Sequence, residues 1–186
     1  MNIPNALTLL RLIMVPCFIG ASIEGMYTVA LVLFVSAAVT DILDGWIARR
    51  LNQRSRLGAL LDPAADKLLM VSGYLFYTLA AGLPVTRIPV WLTFTVFIRD
   101  FLIAVFAYLL YTRVQVKRFP PSAAGKTSTV LQAVTLGFVI GTNAFWPGLL
   151  PATEVLFRVA LVMTLVSAFD YLRRGERLLE GGLAQT

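Results

Sequence analysis

Apolar residues occupy this chain in six long blocks, and short polar or Gly- and Pro-bearing stretches separate them. A helix that crosses a bilayer core needs about 20 mainly apolar residues. Residues 7–23, 27–47, 64–83, 89–111, 124–145 and 152–172 fit that length. Turn signals stand between them: Glu24-Gly25, the polar run from Arg49 to Arg56, Leu83-Pro84, Phe119-Pro120-Pro121 and Trp146-Pro147-Gly148. The pattern predicts an all-α integral membrane protein with six transmembrane helices. Pro4 and the amphipathic spacing after it add a short N-terminal interfacial segment. No internal repeat and no Ser-, Gly- or Pro-rich linker divides the chain, so residues 1–186 read as a single domain. The first block starts with only Arg11 and lacks a convincing small-residue cleavage site, so it is expected to be retained as a helix.

Composition agrees. Of 186 residues, 58% are hydrophobic and 14% charged, and the mean hydropathy is +0.79. Soluble domains carry about 25% charged residues, and a soluble chain this apolar would expose too much apolar surface to stay monomeric. The formal charge is +6, but the basic residues sit at the ends of the apolar blocks. That placement points to an anionic lipid surface and not to nucleic acid. Arg49, Arg50, Arg54 and Arg56 lie between the second and third blocks; Arg113, Lys117 and Arg118 lie between the fourth and fifth; Arg173, Arg174 and Arg177 follow the sixth. The alternate connections carry only Arg87. By the positive-inside rule, both termini and the second and fourth connections are expected on the cytoplasmic side of the cell membrane.

The chain has no His and a single Cys, Cys17, within an apolar run. His-assisted nucleophilic catalysis, His-containing zinc sites and a disulfide framework are thereby excluded. Carboxylates remain. An ionised side chain near a membrane interior costs roughly 2.5–3.5 kcal/mol on insertion scales, yet four aspartates stand at the facing ends of the second and third blocks. Asp41 and Asp44 are spaced i, i+3; Asp62 and Asp66 are spaced i, i+4. On helices each pair shares a face, and two such faces together gather four carboxylates that repel one another unless cations join them. Hard oxygen donors suit Mg²⁺, Mn²⁺ or Ca²⁺. Two ions bridged by carboxylates would offset the charge and grip a diphosphate for in-line displacement. Gly45 and Gly58 leave room for a nucleotide or phosphate near the backbone, and Arg49 is placed to pair with phosphate oxygens.

The run Asp-x2-Asp-Gly-x2-Ala-Arg-x8-Gly-x3-Asp-x3-Asp is unbroken from Asp41 to Asp66. It resembles the signature of the CDP-alcohol phosphatidyltransferase family, and the similarity extends along the whole chain. The resemblance implies a homodimer in which each protomer carries a site open to the cytoplasm. It implies that Asp41, Asp44, Asp62 and Asp66 ligate two Mg²⁺ or Mn²⁺ ions. Asp62 and Asp66 would be the catalytic carboxylates, with Asp66 both ligand and candidate general base. Gly45, Ala48 and Gly58 would line the CDP pocket and Arg49 would contact the diphosphate. The opening from Asn2 to Arg11, followed by Pro16, looks like that of phosphatidylglycerophosphate synthases and related cardiolipin synthases. There Asn5 and Thr8 either hydrogen-bond the nucleotide or cap a helix, and Arg11 neutralises either phosphate or a buried carboxylate.

CDP-diacylglycerol is then the expected donor. Arg99, Lys126, Arg113, Lys117 and Arg118 would form an anion pocket for an acceptor that carries its own phosphate, unless Arg99 is neutralised by its neighbour Asp100. Glycerol 3-phosphate is the favoured acceptor, and phosphatidylglycerol, as in a cardiolipin synthase, is the alternative. A small cation transporter is the rival outside enzymes, with the aspartates as an ion path. That reading leaves Gly45, Gly58 and the cation-repelling Arg49 unexplained.

Overall fold

A computed structural model describes the backbone of residues 3–50, 56–113 and 122–183, with side chains for 7–41, 43, 64–109, 112 and 122–175. Among these residues the protein is helical: α1 (Ile3–Ile23), α2 (Tyr27–Arg50), α3 (Arg56–Leu79), α4 (Val90–Arg113), α5 (Ala123–Ala144) and α6 (Leu150–Leu183). A 3-10 turn, Pro147–Leu149, leads into α6. The six expected helices are present. α1 begins at Ile3 and so takes in the residues expected along the interface.

The helix ends follow local chemistry. Gly25 closes α1 with φ +72°. Its N–H donates to the Ser22 carbonyl and that of Met26 to the Ala21 carbonyl, a pairing that satisfies the last carbonyls of a helix. α3 starts before the expected residue 64, because its first turns carry charge and escape a hydropathy criterion while remaining helical. It also stops at Leu79, short of the expected residue 83. Residues 80–89 leave the helix because Asn143 on α5 holds them. The Asn143 Oδ1 accepts from the N–H groups of Val85 (3.0 Å) and Thr86 (3.2 Å), and its Nδ2 donates to the Thr86 carbonyl (2.9 Å). Ile88 N–H donates to the Tyr77 carbonyl at 2.8 Å.

The helices divide into two compact units. The first contains α1, α2, α3 and the C-terminal half of α5. Ala30, Phe34 and Ala37 form the buried face of α2, and Phe18 of α1 packs on the rings of Phe34 and Tyr77. The Tyr77 hydroxyl lies 3.1 Å from that of Ser22, which donates to the Phe18 carbonyl. The second unit contains α4, the N-terminal half of α5 and most of α6. Its interior mixes apolar side chains such as Leu92, Val96 and Phe157 with polar ones: Gln132 donates to Ser128 (3.1 Å) and Thr164 (3.2 Å), joining α5 to α6.

Large apolar side chains point outward along the helices: Val29, Val32, Val35 and Val39 on α2, Val162 and Leu165 on α6. Buried Thr, Ser, Gln, Asn and Arg lie behind them. Small and polar contacts inside with hydrocarbon outside are what a lipid solvent favours. Among the described residues, stretches Val90–Leu109, Ala123–Ala144 and Pro147–Gly175 are long and apolar enough to cross a membrane. Shorter apolar helices run Leu7–Ile23 and Tyr27–Asp41. α6, at 34 residues, is about 51 Å long at 1.5 Å per residue, longer than the ~30 Å hydrocarbon core. Near the end of its apolar stretch Arg173 lies over the Phe169 ring and Arg174 pairs with Asp170, as charged residues do where a helix leaves lipid.

Candidate active site

Three charged residues of the first unit act on one another: Arg11, Asp41 and Asp66. Arg11 follows Thr8 by one turn on the inner face of α1, and both are fully buried. Asp41 continues the inner row of α2 set by Ala30, Phe34 and Ala37. The Arg11 Nη1 meets the Asp41 Oδ1 at 2.5 Å, and the pair is asymmetric: the arginine side chain is 1% exposed, the aspartate 44%. Of the two sequence-level roles for Arg11, neutralising a carboxylate is the one seen. Asp66, half-buried beside Ala65 on α3, feels the like charge of Asp41 and the opposite charges of Arg11 and Lys67. Asp41 on α2 and Asp66 on α3 thus lie within electrostatic range of each other.

The backbones of Asp44 and Asp62 are helical, on α2 and α3, one turn from Asp41 and Asp66 respectively, so each pair keeps the spacing that shares a face. The side chains of Asp44 and Asp62 lie outside the described residues, as do those of Asn5, Ala48 and Arg49 and the surroundings of Gly45 and Gly58. Among the described residues no group of three or more potential ligands forms. Asn5 and Thr8 fall within the first turns of α1 and not ahead of it. The donor chemistry fits a divalent cation. Asp41 and Asp66 offer hard oxygens at a partly exposed position, and Arg11 and Lys67 are the nearby cations.

Arg99 organises the second unit. Its Nη1 donates to Asp100 (2.8 Å), its Nε to Ser167 Oγ (3.1 Å) and its Nη2 to Ser167 Oγ and to the Gly125 carbonyl (3.4 Å). Its guanidinium also lies 5.7 Å from the Tyr171 ring centre. The pairing with Asp100 expected from adjacency is therefore present. Gly125 is required by this cluster: a Cβ there would stand 2.9 Å from the Tyr171 ring and 3.2 Å from Arg99 Nη2. Ser122 completes it, accepting from Gly125 N–H at 2.9 Å while its own N–H donates to the Tyr171 hydroxyl at 3.3 Å. Lys126, next in the chain, is exposed. The Arg113 side chain, Lys117 and Arg118 lie outside the described residues. Sequence reasoning passed over Ser122, Ser167 and Tyr171. Their signal was faint: Ser167 and Tyr171 stand i, i+4 on an apolar helix.

The family model described as CDP-alcohol phosphatidyltransferase matches residues 1–168. A Mycobacterium tuberculosis protein named "Probable phosphatidylglycerophosphate synthase" is 33% identical over 192 residues, covering 100% of this chain and 86% of its own. An Aquifex aeolicus protein named CDP-diacylglycerol--glycerol-3-phosphate 3-phosphatidyltransferase is 35% identical over 181 residues, covering 96% and 98%. A Homo sapiens protein named cardiolipin synthase (CMP-forming) is 32% identical over 195 residues, covering 96% of this chain and 63% of its own. With apolar side chains on the outer faces of its helices and helices long and apolar enough to cross a membrane, the chain is an integral membrane phosphatidyltransferase and belongs to the CDP-alcohol phosphatidyltransferase family.

Proposed function

We propose that residues 1–186 act as one domain that transfers the phosphatidyl group of CDP-diacylglycerol to glycerol 3-phosphate and releases CMP. The observation that carries this reading is the near-complete mutual coverage with the Aquifex aeolicus relative, whose name states that reaction. Asp41, Asp44, Asp62 and Asp66 would hold two Mg²⁺ or Mn²⁺ ions. When bound, such ions polarise phosphoryl oxygens and stabilise a departing phosphate. Asn5, Thr8, Gly45, Ala48 and Gly58 receive the cytidine end, and Arg49 pairs with the diphosphate. An Asp66 carboxylate oxygen takes the proton of the acceptor hydroxyl. The acceptor oxygen forms its bond to the phosphatidyl phosphorus as the bond from that phosphorus to CMP breaks. Lys126, Arg113, Lys117 and Arg118 bind the acceptor's phosphate. Arg99 belongs to the same group, acting through the Gly125 carbonyl that it holds just before Lys126. The site faces the cytoplasm, with both termini on that side of the cell (inner) membrane, and the enzyme works as a homodimer.

The second reading keeps the donor and changes the acceptor to phosphatidylglycerol, favoured by the similarity to the human cardiolipin synthase. Purified protein given CDP-diacylglycerol and one acceptor at a time separates the two. CMP release with glycerol 3-phosphate, and none with phosphatidylglycerol, is expected; the reverse establishes the cardiolipin reading.

A further inference from the structure

Arg11 carries a full charge into the interior and has little solvent around it, with 1% of its side chain exposed. Burying a guanidinium is costly unless it is paired. It pairs with Asp41, whose carboxylate is 44% exposed. The fixed member of this pair is therefore the arginine, wedged in α1, and the accessible member is the carboxylate on α2. Asp66 on α3 feels both charges. Here one oxygen of Asp41 is held from behind while the group stays open on its other side.

Resting on the reading of Asp41 and Asp66 as metal ligands, we propose that Arg11 is a positioning residue that orients the Asp41 carboxylate toward a divalent cation. A guanidinium is suited to this because it is rigid and always charged, and its Nη1, held in the interior, fixes where the Asp41 Oδ1 sits. Two effects of opposite sign act at such a position. The arginine's charge repels a cation, so its loss by that effect alone would tighten metal binding. Its ion-pair contact with one carboxylate oxygen orients the ligand, and losing an outer partner of a metal ligand typically costs about 10- to 100-fold in affinity. Orientation dominates in this proposal, because an exposed carboxylate released from Arg11 regains its rotamers and its water.

The test is binding of Mn²⁺ alone to the purified full-length protein in detergent, read from the electron paramagnetic resonance of free Mn²⁺. Arg11→Met fills similar space without donors. Its affinity should fall by about 10- to 100-fold, while Arg11→Gln, which keeps a donor without the charge, recovers part of the loss. Arg11→Lys keeps the charge without the planar fork and should also bind weakly. Unchanged or tighter binding by Arg11→Met overturns the proposal, since repulsion would then be the larger effect. If Arg11→Met does not fold, the Arg11→Lys result decides alone, and wild-type affinity in that variant overturns the proposal. Asp41→Asn is the control for the underlying reading. If it binds Mn²⁺ as wild type does, or if wild type binds none, the metal assignment of Asp41 fails and takes this inference with it.

Discussion

At the scale of single residues, charge placed where lipid makes it costly is the informative signal. Asp41, Asp66, Arg11 and Arg99 each stand on a helix whose outer face is hydrocarbon-like; Arg11 pairs with Asp41, Arg99 pairs with Asp100, and Asp66 lies in electrostatic range of Arg11 and Lys67. The partners divide them by role. Asp41 and Asp66 are partly exposed, as the proposed ligand role requires, whereas Arg99 uses its three nitrogens inside the second unit. Asp62→Ala and Asp66→Ala should each lower CMP release by more than about 100-fold, beyond what loss of an outer-shell partner costs. Size-exclusion chromatography in detergent should show unchanged assembly. Wild-type turnover in either variant would remove that residue from the site. Lys126→Ala should raise the KM for glycerol 3-phosphate with little change for CDP-diacylglycerol, measured by CMP release at varied concentrations of each. Arg99→Ala removes four hydrogen bonds from the second unit and should lower the thermal midpoint as well as raise the KM for glycerol 3-phosphate, whereas Lys126→Ala should leave the midpoint unchanged.

Among elements, close approach depends on missing side chains. α6 meets α4 at Gly175, where an added Cβ would lie 2.1 Å from a ring carbon of Phe106. An aromatic ring cannot yield as a flexible chain end can, so Gly175→Ala should destabilise by about 1–3 kcal/mol and lower the thermal midpoint. No change in melting would mean that this contact is loose. The helices themselves were legible because lipid demands long apolar runs. Their ends were less so. α3 gained its first turns because charge hides helicity from a hydropathy reading, and it lost its last because Asn143, distant in sequence, bonds residues 85 and 86. A single polar residue in an apolar block does not announce which loop it will hold.

At the scale of the whole molecule, the aspartate spacing alone pointed to α2 and α3 as the proposed seat of chemistry, and the family model and full-length relatives support the reaction class. Spacing could carry that much because i, i+3 and i, i+4 positions on a helix are neighbours whatever surrounds them. It could not foretell the Arg11–Asp41 pair, which depends on how α1 packs against α2, nor the cage of Ser167, Gly125 and Tyr171 around Arg99. Those are tertiary facts made by ordinary residues. The central claim is that carboxylate-held divalent ions are needed for phosphatidyl transfer. Its most direct test is CMP release from CDP-diacylglycerol and glycerol 3-phosphate by the purified protein, before and after chelation. Release should stop in excess chelator and return with added Mg²⁺ or Mn²⁺; full activity persisting in the chelator would contradict the account.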